Sequence, residues 1–469
     1  MKRRVLILAL TLASAFTLAG CASTGMEGTR QFNENFARDA YGVSVSSDSS
    51  AARGNADALL GQPLSGDDAV RLALTLSPQF QAMLAEQAAQ SAAAAQMGRL
   101  PNPVFKFERL VKKHDGEVEL DIGRMLSISL LEFIYLPSRM RTSDALQQQV
   151  RLASAAQVVE AATNARQAWV RAVAAEQALV YFQQVMDAAE ASAELAKRMY
   201  QAGNFSKLQR ARQQAFYAEA TAQLARAKQT AVSTREALIR TLGLNSTQAA
   251  QLKLPARLPD LPTSAKPESV IAQKALDQRL DVRLAVAELE ALAARQGFTR
   301  TQSVMNALHL TGIRISETGE PVKKGYELEI GIPIFDLGDA TRSQAAQQVK
   351  AAQFRVAQTG LAAESALREQ YAAWRTAYDY ALHYRDEVVP LKKLIADEML
   401  LQYNGMLIGV FDLLTGTRDQ IGSIIAAIDA QRDFWLADAA LDATLLGKPV
   451  MAPLPSAAAV AAGGDAGGH

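Results

Sequence analysis

Glu119 and Asp121 stand two residues apart, as do Glu327 and Glu329. In an extended strand, residues i and i+2 share a face, so each pair would line one side of a strand with negative charge. Carboxylates set out this way suit a hydrated surface, which is either the lining of a wet lumen or the exposed face of a sheet. They do not suit a catalytic dyad. The four histidines, His114, His309, His383 and His469, each fall in a different element. No His-x-x-x-His pair, Gly-x-Ser-x-Gly elbow or phosphate-cradling glycine loop is present. No spacing proposes a metal ligand set, a cofactor site or a nucleophile, so enzymatic readings find no support and neither metal nor cofactor is expected.

The elements that must hold these carboxylates are legible around residues 326–342. Tyr326, Leu328, Ile330, Ile332 and Ile334 alternate with Glu327, Glu329, Gly331 and Pro333, the pattern of a strand with one apolar and one wet side. From Asp339 to Gln402 a helical pattern runs on, with a bend expected at Pro390. The same junction occurs earlier, over residues 127–141. Phe133 precedes Phe335 by 202 positions, Leu136-Pro137 precedes Leu337-Gly338 by 201, Tyr200 precedes Tyr403 by 203, and Leu242-Gly243 precedes Leu446-Gly447 by 204. So constant an offset predicts an internal duplication of half-domains.

Each half reads as helix, strand, strand, helix, helix. In the first, a helix is expected from Ser65 or Asp67 to Met97, and strands over 104–112 and 117–130. A long helix then covers 138–201, 64 residues without Gly or Pro and roughly 95 Å at ~1.5 Å per residue, and another covers 205–242. In the second, a helix over 268–296 precedes strands near 303–316 and 326–334, then the long helix and a last one ending at Gly447. The hairpin tips fall at residues 200–204 and 403–406. Arg124 interrupts the apolar face of the second strand without a reason visible in the sequence.

The first 20 residues combine Lys2, Arg3 and Arg4 with an apolar run from Val5 to Leu18, an export signal. Leu18-Ala19-Gly20-Cys21 resembles the bacterial lipoprotein cleavage box, which implies that Cys21 is lipidated. Cys21 is the only cysteine, which excludes an intramolecular disulfide. Removal of residues 1–20 leaves 46 basic groups against 48 acidic, a balance that does not suggest nucleic acid. No later apolar run approaches the ~20 residues of a transmembrane helix, so any crossing of a bilayer must use β-strands. The expected organisation is signal 1–20, lipid-anchored tether 21–62, first repeat 63–250, Pro-rich linker 251–267, second repeat 268–448 and a disordered tail 449–469.

Over nearly all its mature length the chain resembles the TolC-type outer membrane efflux proteins. The resemblance rests on the duplicated element order, Gly-Ile-Pro-Ile-Phe-Asp-Leu-Gly at 331–338, Tyr200-Gln-Ala-Gly203 at one tip, and Tyr403 followed by Phe411-Asp412-Leu413-Leu414 at the other. It implies a mainly α fold with a small transmembrane β part: a homotrimer joining a 12-stranded β-barrel in the outer membrane to a 12-helix periplasmic α-barrel. It also implies a periplasmic adaptor and an inner-membrane pump as partners, with Gly203, Asn204, Gly405 and Met406 at the adaptor-docking tips. Glu119, Asp121, Glu327 and Glu329 would line the pore. Asp412, Tyr403 and Thr415 would form a periplasmic gate, where Thr415 replaces a second aspartate and Ile408 a latching arginine.

Bland alternatives stand beside these roles. Asp412 could be a solvated helix charge, and Tyr200 and Tyr403 could pack on neighbouring helices. Met399 and Met406 suit either packing or copper(I). The wording of residues 404–411 looks like a branch associated with copper export, although drugs are equally open as cargo. The other functional class is a periplasmic coiled-coil adaptor or scaffold without a pore of its own.

Overall fold

In the computed structural model the described residues are 26–43, 56, 58–114, 117–267, 279–302, 307–332 and 334–449. Their elements are α1 (Met26–Tyr41), α2 (Gly66–Leu76), α3 (Pro78–Met97), β1 (Val104–His114), β2 (Glu117–Ser129), α4 (Leu131–Gln201), α5 (Lys207–Leu242) and α6 (Ser246–Gln251). The second half supplies α7 (Leu280–Gln302), β3 (Leu308–Glu317), β4 (Lys323–Ile330), α8 (Asp339–His383), a π-helical turn (Tyr384–Val388), α9 (Val389–Asn404) and α10 (Val410–Leu445). In each half two adjacent strands follow helix and precede a long helical arm and a return helix, to which the first half adds α1, the break between α2 and α3, and α6. No helix among the described residues is long and apolar enough to cross a membrane. The signal, Cys21 and nearly all of the tail lie outside the described residues.

The chain divides into two compact units. The first comprises Met1–Asn33, Leu84–Ser154 and Val282–Gly360 and contains all four strands. They form one antiparallel sheet in the order β1-β2-β3-β4. The hairpins are joined by β2 pairing with β3, from Asp121 opposite Glu317 to Ser129 opposite His309. Thr318 Oγ1 closes one end of that seam by accepting from Leu120 N–H at 2.8 Å. Helix packing in this unit uses small polar side chains. Thr29 hydrogen-bonds Ser91 at 2.9 Å, and Asn33 donates to Ser154 at 2.6 Å.

That packing corrects the reading of 21–62 as tether, since residues 26–41 of it are helical. The buried stripe of α1 is Thr29, Asn33 and Ala37 at a spacing of four, and two of the three are polar. A search for apolar periodicity passes over such a stripe.

The second unit, Glu34–Met83, Ala155–Asp281 and Leu361–His469, is entirely helical in its regular structure. Its largest fully buried side chain is Trp374, packed between Tyr371 and Tyr378 with ring centroids 5.8 Å away on each side and against Phe434 at 6.1 Å. The Pro-rich linker is laced onto this core. Pro259, Pro262 and Lys266 carbonyls accept from Trp435, Tyr378 and Tyr371. Lys266 Nζ reaches Asp438 at 2.8 Å and Asp442 at 3.3 Å.

Burial pulls the Lys266 ammonium down, but Asp442 and Asp438 overcome it and hold the group above the ordinary lysine value. A raised native pKa means stability that is full below pH ~10.4 and lost as pH climbs through the raised value. Lys266→Met is therefore expected to lower stability by about 2 kcal/mol at neutral pH, the partial exposure of Lys266 discounting a fully buried pair. It should also flatten the alkaline limb of a melting-versus-pH series; an unchanged limb would refute the assignment.

Other boundaries also moved. The helix expected from Ser65 to Met97 breaks at Ser77, which is extended (ψ 117°) because Pro78 follows it. Ser65 is indeed the N-cap of α2. The long first helix begins seven residues before Ser138 and carries Pro137 inside it. β4 stops at Ile330, so Ile332 and Ile334 belong to a loop that ends at Gly338 (φ +71°). In that loop Asp336 accepts from Gly338 N–H at 2.7 Å, and the turn delivers the chain into α8. Pro390 does not simply bend the long second helix. The ladder widens into the π turn just before it, and proline occupies the start of α9, where its missing N–H costs little.

Candidate functional site

Two surfaces gather the residues that the sequence singled out, one in each unit. On the sheet, register decides which side chains share a face. Arg124 is opposite Phe107 and Arg314, and Arg314 is opposite Lys324. One face therefore holds the odd positions of β1 and the even positions of β2, β3 and β4. It carries Phe105, Leu126, Ile128, Leu310, Tyr326 and Leu328, all exposed.

The opposite face holds Glu119, Asp121, Glu327 and Glu329 together; spacing put each pair on one side of its strand, and the register puts both pairs on the same side of the sheet. Pairing supplies them with partners the sequence did not reveal. Glu119 is opposite Lys112, and Glu329 is opposite His309, whose Nδ1 is 3.7 Å from its Oε2. Glu317, expected in a loop, is the last residue of β3, sits opposite Asp121 and is bound by Lys323 at 2.7 Å. The missed signal was the charge at a strand end, which period-two reading assigns to the turn.

In the second unit the two hairpin tips have the same construction. At the first, Gly203 N–H donates to Tyr200 C=O and Asn204 N–H to Met199 C=O. At the second, Met406 N–H donates to Tyr403 C=O and Leu407 N–H to Gln402 C=O. Both are the paired bonds that close a helix through a left-handed residue, Gly203 at φ +76° and Met406 at φ +60°. Gly405 is not left-handed, at φ −79°. Methionine therefore occupies the conformation that glycine adopts freely, at a cost of roughly 1 kcal/mol.

Ser206 and Gln209 form a reciprocal capping box after the first tip. After the second, Gly409 has no side chain to return the bond and only one half is made, the Asp412 carboxylate accepting from Gly409 N–H at 3.1 Å. Asp412 thus holds the start of α10 and remains exposed. Thr415, also exposed, bonds back to Phe411 C=O at 2.8 Å. The two tips touch through Phe205 and Phe411, with centroids 4.7 Å apart and planes at 31°. Below them Val185, Ala189, Ala220 and Ile421 form a small core, capped by Arg418 over the Phe216 ring at 4.6 Å.

Tyr200 is covered by Arg210 at 5.1 Å, an intrachain contact that sequence could not supply. Tyr403 stays exposed. Met399 lies against buried Gly416, where a Cβ would come within 2.4 Å of its sulfur, so helix packing accounts for it. Met406 is 93% exposed.

The matched tips give a direct test. Gly203→Ala is expected to cost about 1 kcal/mol, since no atom crowds the added Cβ and only the positive φ resists it. Met406→Gly should gain about 0.5 kcal/mol, relief of strain being partly offset by the entropy of a glycine. Thermal melts that move the same way for both would contradict the shared geometry.

Comparison with solved structures places this fold among outer membrane channels. A membrane protein from Pseudomonas aeruginosa matches at 20% identity and TM-score 0.68, over 81% of this chain and 93% of that one. The outer-membrane channel OprN matches at 18% and 0.66, over 81% and 90%. The Campylobacter jejuni outer membrane channel CmeC matches at 16% and 0.69, over 82% and 86%. No protein-family model matches the sequence, and no curated protein matches it.

Proposed function

We propose, for a chain that has the fold of outer membrane channels, that it is the passive exit duct of a tripartite efflux system. Three copies would close a 12-stranded barrel and continue it as a 12-helix tunnel, anchored through lipid on Cys21. An inner-membrane pump and a periplasmic adaptor would load it, the adaptor at the tips around Gly203, Asn204, Gly405 and Met406. The pump would select the cargo, whether drugs or metal cations such as copper.

One observation carries this reading. A single four-stranded sheet has an exposed apolar face, a charged face and two edges, β1 and β4, that pair with nothing among the described residues. In lipid an open edge leaves N–H and C=O groups unsatisfied, so such a sheet must close with copies of itself. Detergent-stable trimers in the outer membrane fraction that conduct ions in planar bilayers are the expected result. A soluble periplasmic monomer would instead support the adaptor reading.

The gate is tested by Asp412→Asn, which keeps an oxygen for Gly409 N–H while removing the charge. The helix start stays capped, so folding is spared. Block of the reconstituted channel by multivalent cations should weaken on the order of tenfold, ~1.4 kcal/mol over three carboxylates. Unaltered block would leave Asp412 as a cap alone.

A further inference from the structure

Arg124, unexplained in the sequence, is one member of a row. Running across the sheet, Phe107, Arg124, Arg314 and Lys324 stand directly opposite one another on the apolar face, and Arg109 follows in the next row opposite Ile122. Arg109, Arg124, Arg314 and Lys324 are all exposed. On this face the four strands carry no aspartate or glutamate. The carboxylates Glu108, Glu119, Asp121, Glu317, Glu327 and Glu329 lie on the other face, given the register.

The ion pairs within the sheet follow the same division. Lys106 with Glu108 and Lys323 with Glu317 are on the charged face, where His309 also approaches Glu329 at 3.7 Å. Among the described residues none of these four cations has an acidic partner. Like charges directly opposite one another destabilise a sheet. Basic groups at the middle of a bilayer cost ~2–4 kcal/mol each, falling to ~0–1 near its interfaces. The cluster is therefore tolerable only where anions outside the protein meet it.

Its height in the sheet tells which anions. Toward the helices the face is purely apolar for three rows, Phe105 with Leu126 and Tyr326, then Ile128 with Leu310 and Leu328, then Leu308 with Ile330. Those rows span roughly 13 Å along the strands. The basic row lies beyond them, beside the β3–β4 turn, while the β1–β2 hairpin runs on past it through Ile122, Leu120 and Val118; from there long side chains can extend from hydrocarbon to headgroups.

Resting on the membrane reading above, we infer that Arg124, Arg314 and Lys324, with Arg109 beside them, form a binding site for the phosphate groups of an anionic lipid in the leaflet at the turn end of the barrel. Arginine presents a planar fork that takes two phosphate oxygens at once, and neighbouring arginines can share one phosphate.

The test uses the full-length protein with vesicles of phosphatidylcholine alone, with added lipid A, or with lipid A stripped of its phosphates. Lipid retained by the re-extracted protein is then quantified by native mass spectrometry. The wild type should retain phosphorylated lipid A about 25-fold more than Arg124→Gln/Arg314→Gln, two basic groups at about fivefold each. It should not retain the stripped form. Arg124→Glu guards against misfolding, because it creates an opposite-charge pair with Arg314 while destroying the anion site; it too should lose the lipid.

Equal retention by wild type and both variants overturns the inference. So does displacement of lipid A by inorganic phosphate, which would indicate a site for a soluble anion. Flotation with phosphatidylcholine vesicles reads the membrane reading separately: a protein that floats with no vesicle refutes the duct, whereas one that floats but ignores lipid phosphate refutes this site alone.

Discussion

Leu328→Pro is expected to leave the subunit folded and abolish its assembly. Gly331 N–H donates to Ala307 C=O at 2.9 Å, across the β3–β4 pair. Bonded pairs recur at every second residue of an antiparallel ladder, so Glu329, Glu327 and Gly325 also turn their backbone groups toward β3. Tyr326, Leu328 and Ile330 turn theirs to the open edge. Proline at 328 removes a donor that the subunit itself does not use. At a closed seam with the next copy, the lost bond and the ring clash should cost ~3 kcal/mol per interface, more than a hundredfold. Glu327→Pro is the control, because it strikes the internal ladder and should unfold the β4 pairing. Loss of detergent-stable oligomer and conductance, with native-like circular dichroism, is the expected result for Leu328→Pro. A normal trimer would show that β4 is not a subunit seam.

Trp374→Ala should have the largest effect on the helical unit, about 4 kcal/mol. The indole is fully buried among Tyr371, Tyr378 and Phe434, so its loss opens a cavity that aromatic neighbours cannot fill without breaking their own packing. It also removes the Nε1–H donor that meets Asp438 at 2.9 Å. Asp438 keeps Lys266, so Trp374→Phe should cost only ~1–2 kcal/mol. Urea melts of the purified protein separate the two. Equal losses for Ala and Phe would mean that the hydrogen bond, not the packing, carries the site.

Each carboxylate pair was legible because strand geometry has a period of two, whereas the meeting of both pairs on one face depends on register across β3. The tips were legible as turns from Gly203 and Gly405, yet the residue that takes the left-handed conformation in the second is Met406. Side-chain type argues against methionine there, and the closing hydrogen bonds override it. Three features depend on partners distant in sequence and so were hidden: the stack of Phe205 on Phe411, the linker carbonyls bound by the second-half helices, and the row containing Arg124. Register between β2 and β3 is a long-range property, and Arg124 alone gives no hint of Arg314. Ser77 could have been read, since a residue before proline resists helical geometry.

The π turn at Tyr384–Val388 bears on how the second half differs in length from the first. Phe133 to Tyr200 spans 67 positions, whereas Phe335 to Tyr403 spans 68. In an unbroken α-helix a single surplus residue would rotate everything beyond it by about 100°. A wider turn swallows the surplus locally. The far end of this arm can thus keep its azimuth while the arm itself lengthens, and evolution could resize the column without re-aiming what it presents.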